Sequence, residues 1–368
     1  MGSIGRLSGR ETVRQGEEPR PTIRHGGDLS EAHSRFPHAP QPWIDLSTGI
    51  NPVPYPIPAL PSALFQRLPS PADAAALEAA AARAYGAADP EEVAAAPGTQ
   101  SMIELLPRLL SPELSGRVVV VAPTYAEHAH AWRKAGRIVE EARNVDPGLL
   151  GDDAGVGVVV AVNPNNPDGR ILSRAVLDDL AARVARRGGW LVADEAFADF
   201  ETGAGFESLI PNRPPRVIVL RSFGKTYGLA GIRLGFAVAE ARVARAVRSA
   251  LGPWAVSGPA LALGRAALLD RRWLRAAAAA RDADARRLDA ALSFVGRVLG
   301  GTRLFRLLQT PDAPALFEAL GRAGIWVRRF EDNARRLRFG LPGSEAEWDR
   351  IEAALRGGRG ADAPRFEA

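Results

Sequence analysis

Four short apolar runs punctuate the middle of the chain: Val118 to Val121, Val156 to Val162, Trp190 to Ala193 and Val217 to Leu220. None alternates with polar residues, as a strand with one wet face would, so each predicts a strand buried on both faces. Between them the period lengthens. Met102, Ile103, Leu105, Leu106, Leu109 and Leu110 recur at helical spacing. Val176, Leu177, Leu180 and Val184 do the same, with Ser173 placed to cap the helix and Gly188-Gly189 to stop it. Further helices are expected through Ala126 to Ala135 and Ala74 to Tyr85, the latter ending near Gly86. Strands alternating with helices predict an α/β fold, a large domain with a mostly parallel sheet covered by helices.

The two ends read differently. Residues 1–24 are polar and without periodicity, which predicts a mobile extension. Residues 25–60 form an expected arm packing on the small domain, extended from Pro52 to Pro61 because a run so rich in proline is neither helix nor central strand. The large domain is placed at 61–255. From 256 to 368 the pattern becomes a long Ala/Arg helix at about 266–292, then strand-like pieces Ile325 to Val327 and Leu337 to Phe339, and a helix from Ser344 to Leu355. That is a smaller α+β domain.

Tyr125, Asn166, Asp194 and Lys225 each follow one of the predicted strands. A parallel sheet delivers such positions to one crevice beyond the strands' carboxyl ends. Lys225 stands out. Of the 47 basic residues only Lys134 and Lys225 are lysine and 45 are arginine. Arginine cannot lose its proton to become a nucleophilic amine, whereas lysine does so readily when desolvated. Ser222 lies three residues before Lys225 and Arg233 eight after, among glycines at 224, 228, 231 and 235. A hydroxyl and a guanidinium beside an imine-forming lysine suit a phosphate that anchors an aldehyde cofactor, and pyridoxal 5'-phosphate fits.

The other clusters extend this site. Asp194 would hold the cofactor's ring nitrogen protonated, with His128 hydrogen-bonded behind it, and Asn166 would donate to the ring oxygen. Gly98, Thr99 and Gln100 open a helix, where free amides favour a phosphate, and Tyr125 would lie on the ring. Arg338, in a strand-like Leu-Arg-Phe, needs an anionic partner such as a substrate carboxylate. The His128-x-His130 pair lacks a third ligand type nearby, so no metal site is expected.

The formal charge of +5 raises nucleic acid as a partner, but the arginines interleave with Asp282, Asp284 and Asp289 instead of forming a block, which describes solvated helix faces. No apolar run is long enough for a membrane span, the N-terminus lacks a signal-peptide core, and there is no cysteine. A cytoplasmic enzyme acting on a small molecule is expected.

Together N-P-N-N-P-D-G (163–169), D-E-A-F (194–197), S-F-G-K (222–225) and G-I-R-L-G-F (231–236) resemble the motifs of fold-type I pyridoxal-phosphate enzymes of the aminotransferase class I/II superfamily, over about residues 25–356. The resemblance implies Lys225 as the imine lysine and Asp194 at the ring nitrogen. It places Asn166 at the ring oxygen, Ser222 and Arg233 on the phosphate, and a homodimer. Within the superfamily, H-G-G (25–27), I-D-L-S-T-G-I-N-P (44–52), P-T-Y-A-E-H (123–128), D-E-A-F-A-D-F and P-W-A-V (253–256) look most like threonine-phosphate decarboxylases of cobalamin biosynthesis. Histidinol-phosphate aminotransferases share the core motifs and form the alternative. The decarboxylase branch implies a substrate site of His25, Gly26, Asn166, Arg328 and Arg338, with His25 and Arg328 on the substrate phosphate and Arg338 on the amino-acid end. Phe197 stands where many aminotransferases have a tyrosine. A transcription regulator with an aminotransferase-like sensor, the third reading, needs a DNA-binding module that the residues before His25 do not resemble.

Overall fold

The computed structural model describes residues 25–143, 155–201 and 205–357. The extension expected at 1–24 lies outside them. The described residues form twelve strands: β1 (Ile44–Leu46), β2 (Val93–Ala96), β3 (Arg117–Val121), β4 (Val139–Ala142), β5 (Val156–Val162), β6 (Trp190–Asp194), β7 (Val217–Ser222), β8 (Gly235–Val238), β9 (Arg297–Thr302), β10 (Phe305–Gln309), β11 (Ile325–Arg329) and β12 (Arg336–Gly340).

The larger sheet runs β2-β8-β7-β6-β5-β3-β4. Every neighbour pair is parallel except the two made by β8. Its apolar runs serve two cores at once, because successive side chains point to opposite faces. Val159 and Ala161 pack with the helices Pro71–Tyr85, Arg174–Ala185 and Gly258–Leu269. Val158 and Val160 pack with Thr99–Leu110, Glu127–Lys134 and Ala241–Leu251 on the other side. The expected boundaries have local causes. Ser70 caps the first of these helices by accepting from Asp73 N, and Gly86 ends it at φ 77°. Ser173 accepts from Val176 N.

The second sheet runs β1-β11-β12-β10-β9, with β1 parallel to β11 and the rest antiparallel. Residues of the arm enter it directly through β1. The single long helix expected at about 266–292 is two helices, Gly258–Leu269 and Arg271–Leu292. Asp270 breaks them apart, since its carboxylate accepts from Trp273 N and starts the second helix afresh. The first packs against the larger sheet, with Ala260, Leu261, Ala267 and Leu268 in the core that holds Leu77 and Tyr85. On that packing we propose that the division between the two parts falls at Asp270 and not at 255/256. Asp282, Asp284 and Asp289 all pair with arginines.

The two parts meet closely at one backbone crossing. A Cβ on Gly169 would stand 2.0 Å from the carbonyl oxygen of Gly301, and one on Gly300 would stand 2.4 Å from that of Asp168. The turn after β5 therefore rests on the backbone of β9. The proline-rich arm also joins them: Asn51 N donates to Lys225 O at 2.9 Å and Tyr55 N to Tyr227 O at 2.8 Å.

Candidate active site

The carboxyl ends of β3, β5, β6 and β7 open into a cleft of about 1640 Å³ between the two sheets. His25, Gly26, Gly98, Thr99, Gln100, Tyr125, Asn166, Asp194, Ser222, Lys225, Arg233, Arg328 and Arg338 all line it. Thus every predicted site residue reaches one place, from positions more than 300 residues apart in sequence.

Lys225 lies in the short helix Phe223–Thr226 that follows β7. Burial depresses its ammonium to a pKa of about 8, with the guanidinium groups of Arg338 and Arg233 pushing the same way against the opposing carboxylate of Asp194. Its Nζ lies 5.5 Å from the ring centre of Phe197. Asp194 closes the floor of the cleft, buried, with Oδ2 2.8 Å from His128 Nε2 and Oδ1 accepting from Ala196 N.

At the other end a cradle for an anion is assembled. Gly98 has φ 84°, and a Cβ there would stand 2.6 Å from Nη2 of Arg233. A Cβ on Gly235 would stand 2.7 Å from Thr99 N. Glycine at both positions brings the Arg233 guanidinium against the N-terminus of the helix Thr99–Leu110, where first-turn amides have no helical acceptor. The turn N-P-N-N-P-D-G is held by its own side chains: Asn165 Nδ2 donates to Pro123 O and to Asp168 Oδ1, and Thr124 donates to Asn165 Oδ1. Asn166 next to it accepts from Arg338 Nη1, so its amide nitrogen is the end left for a ligand.

The small sheet contributes two arginines opposite one another, Arg328 on β11 and Arg338 on β12. Like charges directly across a ladder repel. Burial and Arg328 depress the Arg338 guanidinium to about 10, with Asp45 opposing. Arg338 is buried, donates to Ser47 O at 2.8 Å and lies 5.2 Å from the Phe305 ring centre, while its Nε has no partner. An anion between these guanidinium groups would relieve both costs. Among the described residues no group of three metal-ligating side chains exists.

Some participants were not singled out from sequence. Glu127, buried, receives hydrogen bonds from Gln100 and His25. It lies within P-T-Y-A-E-H, two residues after Tyr125, where a carboxylate in a first helical turn was the available signal. Asn51 binds the Thr226 carbonyl through Nδ2 and carries no local signal for that long-range role. Ser47 acts through its backbone, which no sequence pattern reveals.

A phosphate cradle, a depressed lysine and a buried carboxylate at opposite ends of one cleft fit pyridoxal phosphate, whose phosphate, aldehyde and ring nitrogen need these groups. The fold and this site define an aminotransferase-type enzyme. The profile of the family described as aminotransferase class I and II matches residues 43–355, and the chain belongs to that family. More particularly, it is 45% identical over 338 residues to the threonine-phosphate decarboxylase of Pseudomonas aeruginosa, covering 91% of this chain and 98% of that protein. It is 42% identical over 340 residues to that of a Sinorhizobium species, covering 90% and 97%. The structure of histidinol-phosphate aminotransferase from Sinorhizobium meliloti in complex with pyridoxal-5'-phosphate superimposes with a TM-score of 0.75 at 22% identity, covering 94% of this chain and 98% of that one.

Proposed function

We propose that this chain is a pyridoxal-5'-phosphate-dependent lyase that decarboxylates L-threonine O-3-phosphate to (R)-1-aminopropan-2-yl phosphate, a step of cobalamin biosynthesis. The observation that carries the reading is identity above 40% to two threonine-phosphate decarboxylases along nine-tenths of the chain. The cleft supports it with Arg328 and Arg338, paired across β11 and β12 and lining the same cleft as Lys225, suited to a substrate anionic at both ends.

When bound, the cofactor supplies an electron sink for the pair left as carbon dioxide departs. Asp194 stabilises a proton on the ring nitrogen and is itself held by His128. Asn166, whose amide nitrogen is left by the bond to Arg338, would donate to the ring oxygen, and Tyr125 would pack on the ring. Ser222, Arg233 and the amides following Gly98 hold the phosphate. Lys225, with a pKa of about 8 against 10.5 ordinarily, would have an unprotonated fraction of about a tenth at pH 7 for attachment and would exchange a proton at Nζ during turnover. Arg338 would bind the carboxylate end and His25 and Arg328 the substrate phosphate, with Gly26 lining the substrate site beside His25. Remote anionic anchors orient the bond to be broken, since binding energy away from the reacting carbon sets its rotation.

The enzyme acts as a cytoplasmic homodimer in this reading. Ile57, Phe65 and Leu68 are each more than half exposed along one stretch of chain, an apolar surface that a second copy would cover. Among the described residues no helix is long and apolar enough to cross a membrane. The test is a paired assay with added cofactor: carbon dioxide from L-threonine phosphate, beside glutamate from histidinol phosphate plus 2-oxoglutarate. Carbon dioxide without glutamate is expected. Glutamate without carbon dioxide would overturn the reading in favour of an aminotransferase.

A further inference from the structure

One buried carboxylate behind the cleft wall, bonded to two of the cleft's lining residues, has no part in the chemistry above. Glu127 opens the helix Glu127–Lys134 and is buried. Its Oε2 accepts from Gln100 Nε2 at 3.2 Å, and its Oε1 lies 2.9 Å from His25 Nε2. Gln100 is thereby turned so that its Oε1 accepts from the Tyr125 hydroxyl at 3.0 Å. The donors run in one direction, phenol to amide to carboxylate and imidazole to carboxylate, and an ionised carboxylate accepts at both of its terminal atoms and donates at neither. Burial, with Glu127 and Asp194 nearby, pushes the Tyr125 phenol up to about 12, so it remains a donor.

We infer that Glu127 is a positioning residue that ties the cofactor-stacking Tyr125 to the substrate-side His25, setting cofactor affinity and substrate affinity through a single carboxylate. With its Nε2 committed to Glu127, His25, which lines the cleft, has Nδ1 left for a ligand. The Tyr125 ring is held against rotation through Gln100. The inference rests on the proposed roles of Tyr125 and His25. Glu127 touches neither reacting atoms nor cofactor.

Glu127→Gln preserves shape but removes the charge and replaces one acceptor with an NH2 donor, so both bonds lose their charged acceptor and either Gln100 or His25 also faces a donor. Losing a charged hydrogen bond weakens binding on the order of 10-fold. The expected result is a rise of about 10-fold in both the pyridoxal phosphate Kd, from titration of the apo-protein, and the KM for L-threonine phosphate, with kcat within about 2-fold. In a His25→Ala background the same change should still raise the Kd and no longer move KM. Gln100→Leu, which leaves the His25 contact intact, should raise the Kd alone and decides the cofactor arm if Glu127→Gln does not fold. An unchanged Kd in the variants, or a fall in kcat at constant KM, would overturn the inference. Wild-type protein silent on L-threonine phosphate would instead sink the substrate reading, and the Kd arm would still decide the role of Glu127.

Discussion

Replacing Gly98 with alanine separates the two demands made on that residue. The first is conformational: φ is 84° and ψ 159°, a backbone conformation that is essentially glycine-only, and a side chain there costs about 1–3 kcal/mol. The second is spatial. The new Cβ would stand 2.6 Å from Arg233 Nη2 and ordinary contact begins near 3.4 Å, so the guanidinium must retreat by about 0.8 Å. Arginine's flexible end moves easily, so this retreat adds little to the cost of folding. A charged hydrogen bond to the cofactor phosphate, ordinarily near 2.8 Å, would be stretched to roughly 3.6 Å and lost. Such a bond contributes about 1.5–3 kcal/mol, or on the order of 10- to 150-fold in affinity. Apo-protein titrated with pyridoxal phosphate should therefore show that weakening, while thermal denaturation of the same apo-protein falls by a few degrees, about 2–4 °C per kcal/mol. Gly98→Ala protein with lowered Tm and undiminished cofactor affinity would refute the placement of Arg233 on the phosphate.

Other outcomes follow from the same geometry. Lys225 titrates near 8 in the folded apo-protein against 10.5 ordinarily, so between those values the unfolded chain binds more protons and stability rises with pH; below about 8 the cost of the buried charge is fully present. Lys225→Met should abolish cofactor capture, stabilise the apo-protein at pH 7 and flatten that rise. Urea denaturation at pH 7 and pH 10 checks this, and an undiminished rise would show that another group is responsible. Asp194→Asn should lower kcat by about 100-fold or more, because a neutral amide does not stabilise a protonated ring nitrogen; a loss under 10-fold in carbon dioxide release would remove Asp194 from that role. A Cβ on Gly49 would stand 2.9 Å from both Phe197 and Phe305, so Gly49→Ala should destabilise by about 1–3 kcal/mol and displace the ring beside Lys225. Denaturation and kcat measured on one preparation read both effects.

The strands that carry the site were legible because each is buried on both faces and so is written as an unbroken apolar run. Val156 to Val162 was bounded correctly, and the polar residues after each run followed from the parallel order. Ile325 to Val327 and Leu337 to Phe339 were also legible and lie within β11 and β12, but other strands had no such signature. β2 is Val-Ala-Ala-Ala, rich in the residue most at home in helices, and becomes a strand because β8 and the helices around it bury it. β8 starts at the end of the G-I-R-L-G-F motif, where glycine masks any period, and β9 contains two glycines that seat the neighbouring turn. The break at Asp270 was hidden because arginine and alanine continue on both sides of it, while the cap is made by one side chain. Glu127 escaped notice for a different reason. Its partners are 27 residues away at Gln100 and 102 at His25, and only the folded chain brings them together.

The crossing of Gly169 over Gly301 has a mechanical consequence. At most contacts between packed elements, side chains rotate and take up small displacements. Here backbone lies on backbone, with no rotamers between to act as a cushion. A push on β9 is transmitted undamped to the turn that carries Asn166. Arg338, hydrogen-bonded to that same asparagine from β12, grips it from the other side. The small sheet thus holds Asn166 as a clamp with two jaws, and a ligand that pulls on the arginine jaw is felt at Asn166 as force along a rigid linkage.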